Sequence, residues 1–245
     1  MIILGDIGNT ETKICLVKNN KIIKKFLIPS KGKKMGILDK HFKKFNFSKL
    51  KKLLFCSVVP STFKELKNYF KHKTHIKCFE LKELNLRSVL KIDVNYRQVG
   101  SDRLANAISV SAKNKNFIIL DFGTATTFDV LIGKNYKGGI ISPGINLSLN
   151  TLSDKASLIP KINLKKMSKV IGKDTKSAVR SGFFWGYAGL IDNIINLIKK
   201  EIKKPFTVII TGGFSKLFKN SIKTKVKQDF DITINGLIKA SKLIK

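Results

Sequence analysis

"MIILGDIGNTETK" (1–13) and "FIILDFGTATTF" (117–128) carry one phrase twice: a short apolar run, then Asp-x-Gly, then threonine. Each run reads as a buried strand, and each Asp-x-Gly as the turn that ends it. Asp6 and Asp121 stand 115 residues apart (121 − 6), close to half of the 245-residue chain. A single Asp-x-Gly is ordinarily no more than a turn. Two copies in matching context point to an internal duplication.

The text downstream of each aspartate matches too. "TKICLVKNNKIIKKFLI" (12–28) reads as strand, turn and strand, with Asn19-Asn20 suited to positive φ, and "TTFDVLIGKNYKGGIIS" (126–142) repeats the pattern with a turn near Asn135. Each half therefore opens as a three-stranded antiparallel meander. Strands and helices then alternate. "KKLLFCSVVP" (51–60) is a buried strand stopped by Pro60, and the helix after it has Ser61 or Thr62 as its cap. "THIKCFEL" (74–81) is a strand and 101–113 a helix; 144–157 and 175–204 are helices, 205–213 a strand ending in a double glycine, and 214–220 a short helix. The expected fold class is α/β, with two domains, 1–114 and 115–245, each a mixed sheet flanked by helices.

Composition narrows the function. The formal charge is +32, but all except four of the 48 basic residues are lysine, and they are spread along the chain. Readers of base edges and phosphates favour arginine, so a solvated basic surface is expected rather than specific nucleic-acid binding. No apolar run approaches the roughly 18 residues of a membrane span, and a cytoplasmic protein without membrane partners is expected. Cys15, Cys56 and Cys78 are scattered, which suits buried small residues better than disulfides or zinc.

Phosphate chemistry fits the duplicated turns. Gly8, Gly123, Gly212 and Gly213 let backbone N–H groups approach an anion without a Cβ in the way, and Thr10, Thr12, Thr124 and Thr126 could add hydroxyl donors. An aspartate at each turn can hold a cation that offsets phosphate charge. Neither a P-loop nor a G-x-G-x-x-G fingerprint is present.

These residues resemble the ribonuclease H-like fold shared by acetate and sugar kinases, actin and the heat-shock chaperone ATPases. Within it, the chain resembles type III pantothenate kinase, through "DIGNT" (6–10), "SVVP" (57–60), "VGSDR" (99–103), "DFGTATTFD" (121–129), "GGIISPG" (138–144), "GKDTKSAVRSG" (172–182), "GLID" (189–192) and "TGG" (211–213), in that order. The resemblance implies ATP-dependent phosphorylation of pantothenate to 4′-phosphopantothenate, with magnesium accompanying ATP. It implies that Asp6, Ile7, Gly8, Asn9, Thr10, Glu11, Thr12 and Lys13 form the first ATP loop, with Thr124, Gly212 and Gly213 also at the nucleotide. It implies that Gly100, Ser101, Asp102 and Arg103 line the pantothenate site, with Asp102 as proton acceptor. Asp121 is implied to bind a monovalent cation, potassium or ammonium, and Thr175 to serve the neighbouring subunit of a homodimer.

Two positions depart from the family pattern: Gly5 stands where an apolar residue is usual, and "DVNY" (93–96) puts Asp93 and Tyr96 at the places of the tyrosine and proline of Tyr-x-Asn-Pro. Read without the family, Asp102 is a helix cap. With it, Asp102 pairs with the substrate hydroxyl and Arg103 with its carboxylate. Gly182, Gly186 and Gly189 lay a smooth stripe along one helix face, which suits close packing across a dimer. The alternatives are an inactive or regulatory member of the fold that binds nucleic acid, and another small-molecule kinase of the superfamily.

Overall fold

The computed structural model describes residues 1–32 and 34–244. Its contacts divide the chain into two compact units: 1–111 with 134–136 and 231–245, and 112–133 with 137–230.

In the first unit, β1 (Ile2–Ile7), β2 (Glu11–Lys18) and β3 (Lys21–Pro29) form the expected meander, each antiparallel to the next. Its turn is made by Asn19 and Asn20 at φ 51° and 61°. Asparagine tolerates this left-handed region because its short side chain can bond locally. After α1 (Met35–Phe42), β4 (Lys52–Ser57) lies parallel to β1 on the far side from β2. Helix α2 (Pro60–Lys73) leads to β5 (Cys78–Glu80), parallel to β4. The sheet order is β3-β2-β1-β4-β5. Phe42, Phe55 and Phe70 sit at the centre of the core between this sheet and α1 and α2. The two-residue strand β6 (Lys91–Ile92) pairs with Asn135 and Tyr136, and α3 (Ser101–Val110) follows.

The second unit repeats the scheme. β7 (Asn116–Phe122) is antiparallel to β8 (Ala125–Ile132), and β9 (Asn135–Pro143) lies next to β8. After α4 (Ile145–Lys155) and the 28-residue α5 (Thr175–Ile202), β10 (Thr207–Gly212) lies parallel to β7, as β4 does to β1. The short α6 (Ser215–Phe218) and β11 (Val226–Gln228), parallel to β10, complete it. Phe122, Phe184 and Phe218 stack in its core.

Several boundaries differ from expectation. Pro60, not Ser61 or Thr62, opens α2: its fixed φ suits the first helical position, and Thr62 is buried and donates to Ser30 O at 2.8 Å. Only Cys78–Glu80 of the strand expected at 74–81 pairs as a strand, and α3 stops at Val110 rather than continuing to 113. A division at 114/115 assigns the chain's end to the second domain. Instead α7 (Ile232–Ala240) packs on α3 in the first unit. Gly236 makes this possible, since a Cβ there would lie 1.8 Å from Ala105 O. Thr233 Oγ1 donates to Asn106 Oδ1 at 2.8 Å across the same interface, satisfying two buried polar groups.

Candidate active site

Chemistry-bearing residues of the first unit gather where its parallel strands end, the usual position for ligands in open α/β sheets. Asp6 is one residue from the end of β1, Cys56 is its neighbour in β4, and Glu80 ends β5. Helix α3 brings Asp102 to the same place. The Cys56 thiol donates to Asp6 Oδ1 at 3.5 Å. Burial pushes the Asp6 carboxyl up to about 6, and the negative field of Asp102 adds to it, while Lys13 and the Cys56 contact pull the other way. Asp102 is also raised, first by burial; the Arg103 N–H and guanidinium and the Lys82 charge oppose the rise. Two carboxylates both raised by burial mark this as the candidate functional site of the unit.

The turn after β1 is closed by Gly8 N–H donating to Glu11 O at 3.1 Å, leaving Asn9 and Thr10 exposed. Lys13 lies opposite Asp6 in the β1–β2 register. Ile7 and Thr12 are fully buried, and the Thr12 hydroxyl is bonded to Ser30 Oγ at 2.8 Å. The Thr12 hydroxyl is therefore engaged inside the fold rather than presented as a phosphate donor. The departure at Gly5 has a steric cause, because a Cβ there would fall 2.2 Å from the Phe55 ring. Phe55 fills the space that an apolar side chain at position 5 would take.

Asp102 does not cap α3. Gly100 holds the N-cap position without a side-chain cap, and Asp102 is the second residue of the helix. Its Oδ1 accepts the Arg103 N–H at 2.8 Å. The carboxylate folds back over Gly100, where a Cβ would approach Oδ1 to 2.5 Å.

The loop that departs from the family pattern has its own anchors. Tyr96 donates its hydroxyl to Lys82 O at 3.1 Å, with the Lys82 ammonium 5.2 Å from its ring centre, and Asp93 is ion-paired with Lys91 at 3.7 Å. Lys82, Leu86, Arg87, Leu90 and Tyr96 line a cavity of about 650 Å³. All three cysteines are buried.

In the second unit Asp121 is one residue from the end of β7, as Asp6 is in β1, and Gly123 N–H closes the turn on Ala125 O at 3.0 Å. Gly123, Thr124 and Gly213 are exposed, whereas Thr126 is buried in β8. Gly213 N–H donates to Phe122 O at 3.1 Å. Gly212 has φ +84°, and a Cβ there would lie 2.7 Å from Asp121 Oδ1, so the double-glycine turn packs directly on the aspartate. Thr175 is exposed at the first position of α5, whose N-terminus is closed by a reciprocal cap between Asp174 and Ser177. Among the described residues, no group of three or more His, Cys, Asp or Glu side chains could hold a metal.

The order of these turns, strands and helices has a counterpart among known proteins, where the family model for type III pantothenate kinase matches residues 2–197. The chain belongs to that family. It is 63% identical, over the whole of both chains, to the type III pantothenate kinase of Pelagibacter ubique. It is 34% identical to that of Hyphomonas neptunium, over 99% of both. Among solved structures, (R)-2-hydroxyglutaryl-CoA dehydratase component A from Acidaminococcus fermentans covers 100% of this chain and 99% of its own, with a TM-score of 0.53 and 12% identity. That likeness supports the duplicated ribonuclease H-like fold. Family membership decides against another small-molecule kinase of the superfamily.

Sequence reasoning missed Glu80, Cys56 and Lys82. Glu80 and Lys82 stand in a short strand and turn with no motif around them, and Cys56, just before "SVVP", reads from sequence only as a buried small residue. Only the parallel order of β1, β4 and β5 brings them to Asp6 and Asp102.

Proposed function

We propose that the first unit carries the phosphoryl-transfer chemistry, with Asp102 as the base. The activity that comes with the family is ATP-dependent phosphorylation of pantothenate, the step that opens coenzyme A biosynthesis, and magnesium enters with ATP. The observation supporting the residue assignment is the position of Asp102: a half-buried carboxylate at the start of a helix, close enough to Asp6 to raise its pKa. Phosphoryl transfer passes through a loose transition state, so the protein mainly positions reactants and balances charge. Asp102 orients the primary hydroxyl of pantothenate and takes its proton late, as the oxygen–phosphorus bond forms and the bond to ADP breaks. Arg103 pairs with the substrate carboxylate alongside Gly100, while the buried Ser101 hydroxyl is turned away to Glu80. The Asp6–Lys13 turn holds ATP phosphates through backbone N–H groups and Lys13. In the second unit, Thr124, Gly212 and Gly213 are the nucleotide-binding candidates.

Asp121 is proposed to hold a monovalent cation. One carboxylate beside a backbone turn suits a weakly charged ion that accepts oxygen donors. A homodimer is proposed from α5: Gly182, Gly186 and Gly189 have nothing within 4 Å of an added Cβ, and the neighbouring Val170 and Ile171 are 66% and 84% exposed. A second copy would cover this face and bring its Thr175 into use. Sedimentation should give about twice the 27.5 kDa chain mass; an active monomer would remove Thr175 from the site. The proteins of this family work on soluble substrates, and a cytoplasmic location is proposed with it.

The test of the assignment is Asp102→Asn. Turnover should fall roughly 10²–10⁴-fold, the usual contribution of a positioned base, with ATP binding and melting temperature little changed. Near-normal turnover would leave the base unassigned.

A further inference from the structure

We propose that Glu80 is a positioning residue for phosphoryl transfer, its carboxylate fastening the first turn of α3, and with it Asp102, to the ends of the parallel strands. The inference rests on the reading of Asp102 as the base. Glu80 ends β5, and its two oxygens have three partners. Oε1 accepts the Ser57 N–H, at the end of β4, at 3.2 Å, and also accepts the hydroxyl of Ser101. Oε2 accepts the Lys82 N–H at 2.6 Å.

The plainest reading of Glu80 is a cap for the short 3-10 turn at Leu81–Glu83. That accounts for Oε2 alone. Oε1 is committed elsewhere, to one backbone donor of the sheet and one side-chain donor of α3. Ser101 is 2% exposed, so water does not compete for its hydroxyl. Burial on the Ser101 side strengthens the bond electrostatically.

Ser101 is the first residue of α3 and Asp102 the second. Gly100 at the N-cap has no side chain to offer, and within the turn the Asp102 carboxylate accepts the Arg103 N–H. The bond from Ser101 to Glu80 ties the turn to β5 and, through the Ser57 N–H, to the end of β4 beside the strand that carries Asp6. A displacement of this turn moves the Asp102 carboxylate with it, and a misplacement of about 1 Å can cost on the order of 10²-fold in rate.

The test is steady-state kinetics on the full-length protein with ATP and pantothenate, comparing Ser101→Ala, Ser101→Thr and Asp102→Asn. Ser101→Ala removes only the hydroxyl and should lower kcat roughly 10-fold, with the KM for ATP within about twofold and melting temperature nearly unchanged. Ser101→Thr, which keeps the hydroxyl, should recover most of the rate. Glu80→Gln, which sets an amide against three donors, should lower kcat at least as far if it folds. Unchanged kcat in Ser101→Ala, or a loss that Ser101→Thr fails to recover, would overturn the proposal. Loss of turnover in Asp102→Asn with none in Ser101→Ala refutes the fastening alone. No loss in Asp102→Asn refutes the base itself.

Discussion

Replacing Asp6 by asparagine should make the protein more stable and less active. The folded protein raises the Asp6 carboxyl from 3.8 to about 6, chiefly through burial and secondarily through Asp102. The folded state thus binds this proton more tightly than the unfolded chain. The associated stability is fully present below the unfolded value and is lost as pH rises from 3.8 to about 6. Above that window the ionised carboxylate costs about 3 kcal/mol, at about 1.36 kcal/mol per pKa step. Asparagine has nearly the same shape, carries no charge, and offers an oxygen to the Cys56 thiol. At pH 7.5, Asp6→Asn should therefore unfold at higher urea concentration, with a gain of up to about 3 kcal/mol. By pH 4 the gain should shrink to about 0.5 kcal/mol, because the native carboxyl is then protonated. Far-UV circular dichroism should follow the transition, since the single tryptophan, Trp185, reports on the second unit. Turnover should drop in the same variant, the usual exchange of stability for function. Equal stability at pH 7.5, or a gain that is the same at pH 4, would refute the account of strain at Asp6.

Two other outcomes follow from the geometry. Gly236→Ala would push a methyl group toward Ala105 O, 1.8 Å from where its Cβ must go. Overpacking against backbone should cost about 3 kcal/mol and lower turnover by tilting α3; an unchanged melting curve would contradict the contact. If Asp121 holds a monovalent cation, activity with magnesium and ATP should collapse when potassium and ammonium give way to a bulky organic cation, and equal rates in both buffers would remove that role.

The duplication, the meanders and the turn at Asn19-Asn20 were legible in the sequence because they are local. A strand followed by Asp-x-Gly, or two asparagines between apolar runs, dictates its own geometry through neighbours a few residues away. The family was legible too, since its motifs recur in order from Asp6 to Gly213. What only the tertiary structure decided lies between residues far apart in the chain. Thr12 looked like a phosphate donor until Ser30 claimed its hydroxyl. Asp102 looked like a helix cap until the position fell to Gly100. Gly5 was only a departure from the family pattern until the Phe55 ring occupied its space, and the C-terminal helix joined the first unit through Gly236. Glu80 carries no signal in "KCFEL", because its importance comes from parallel strands β1, β4 and β5 ending side by side. Local sequence sets which turns and strands can form; which side chains then share a buried space, and so which carboxylate is raised, bonded or left for chemistry, is fixed by packing across the sheet.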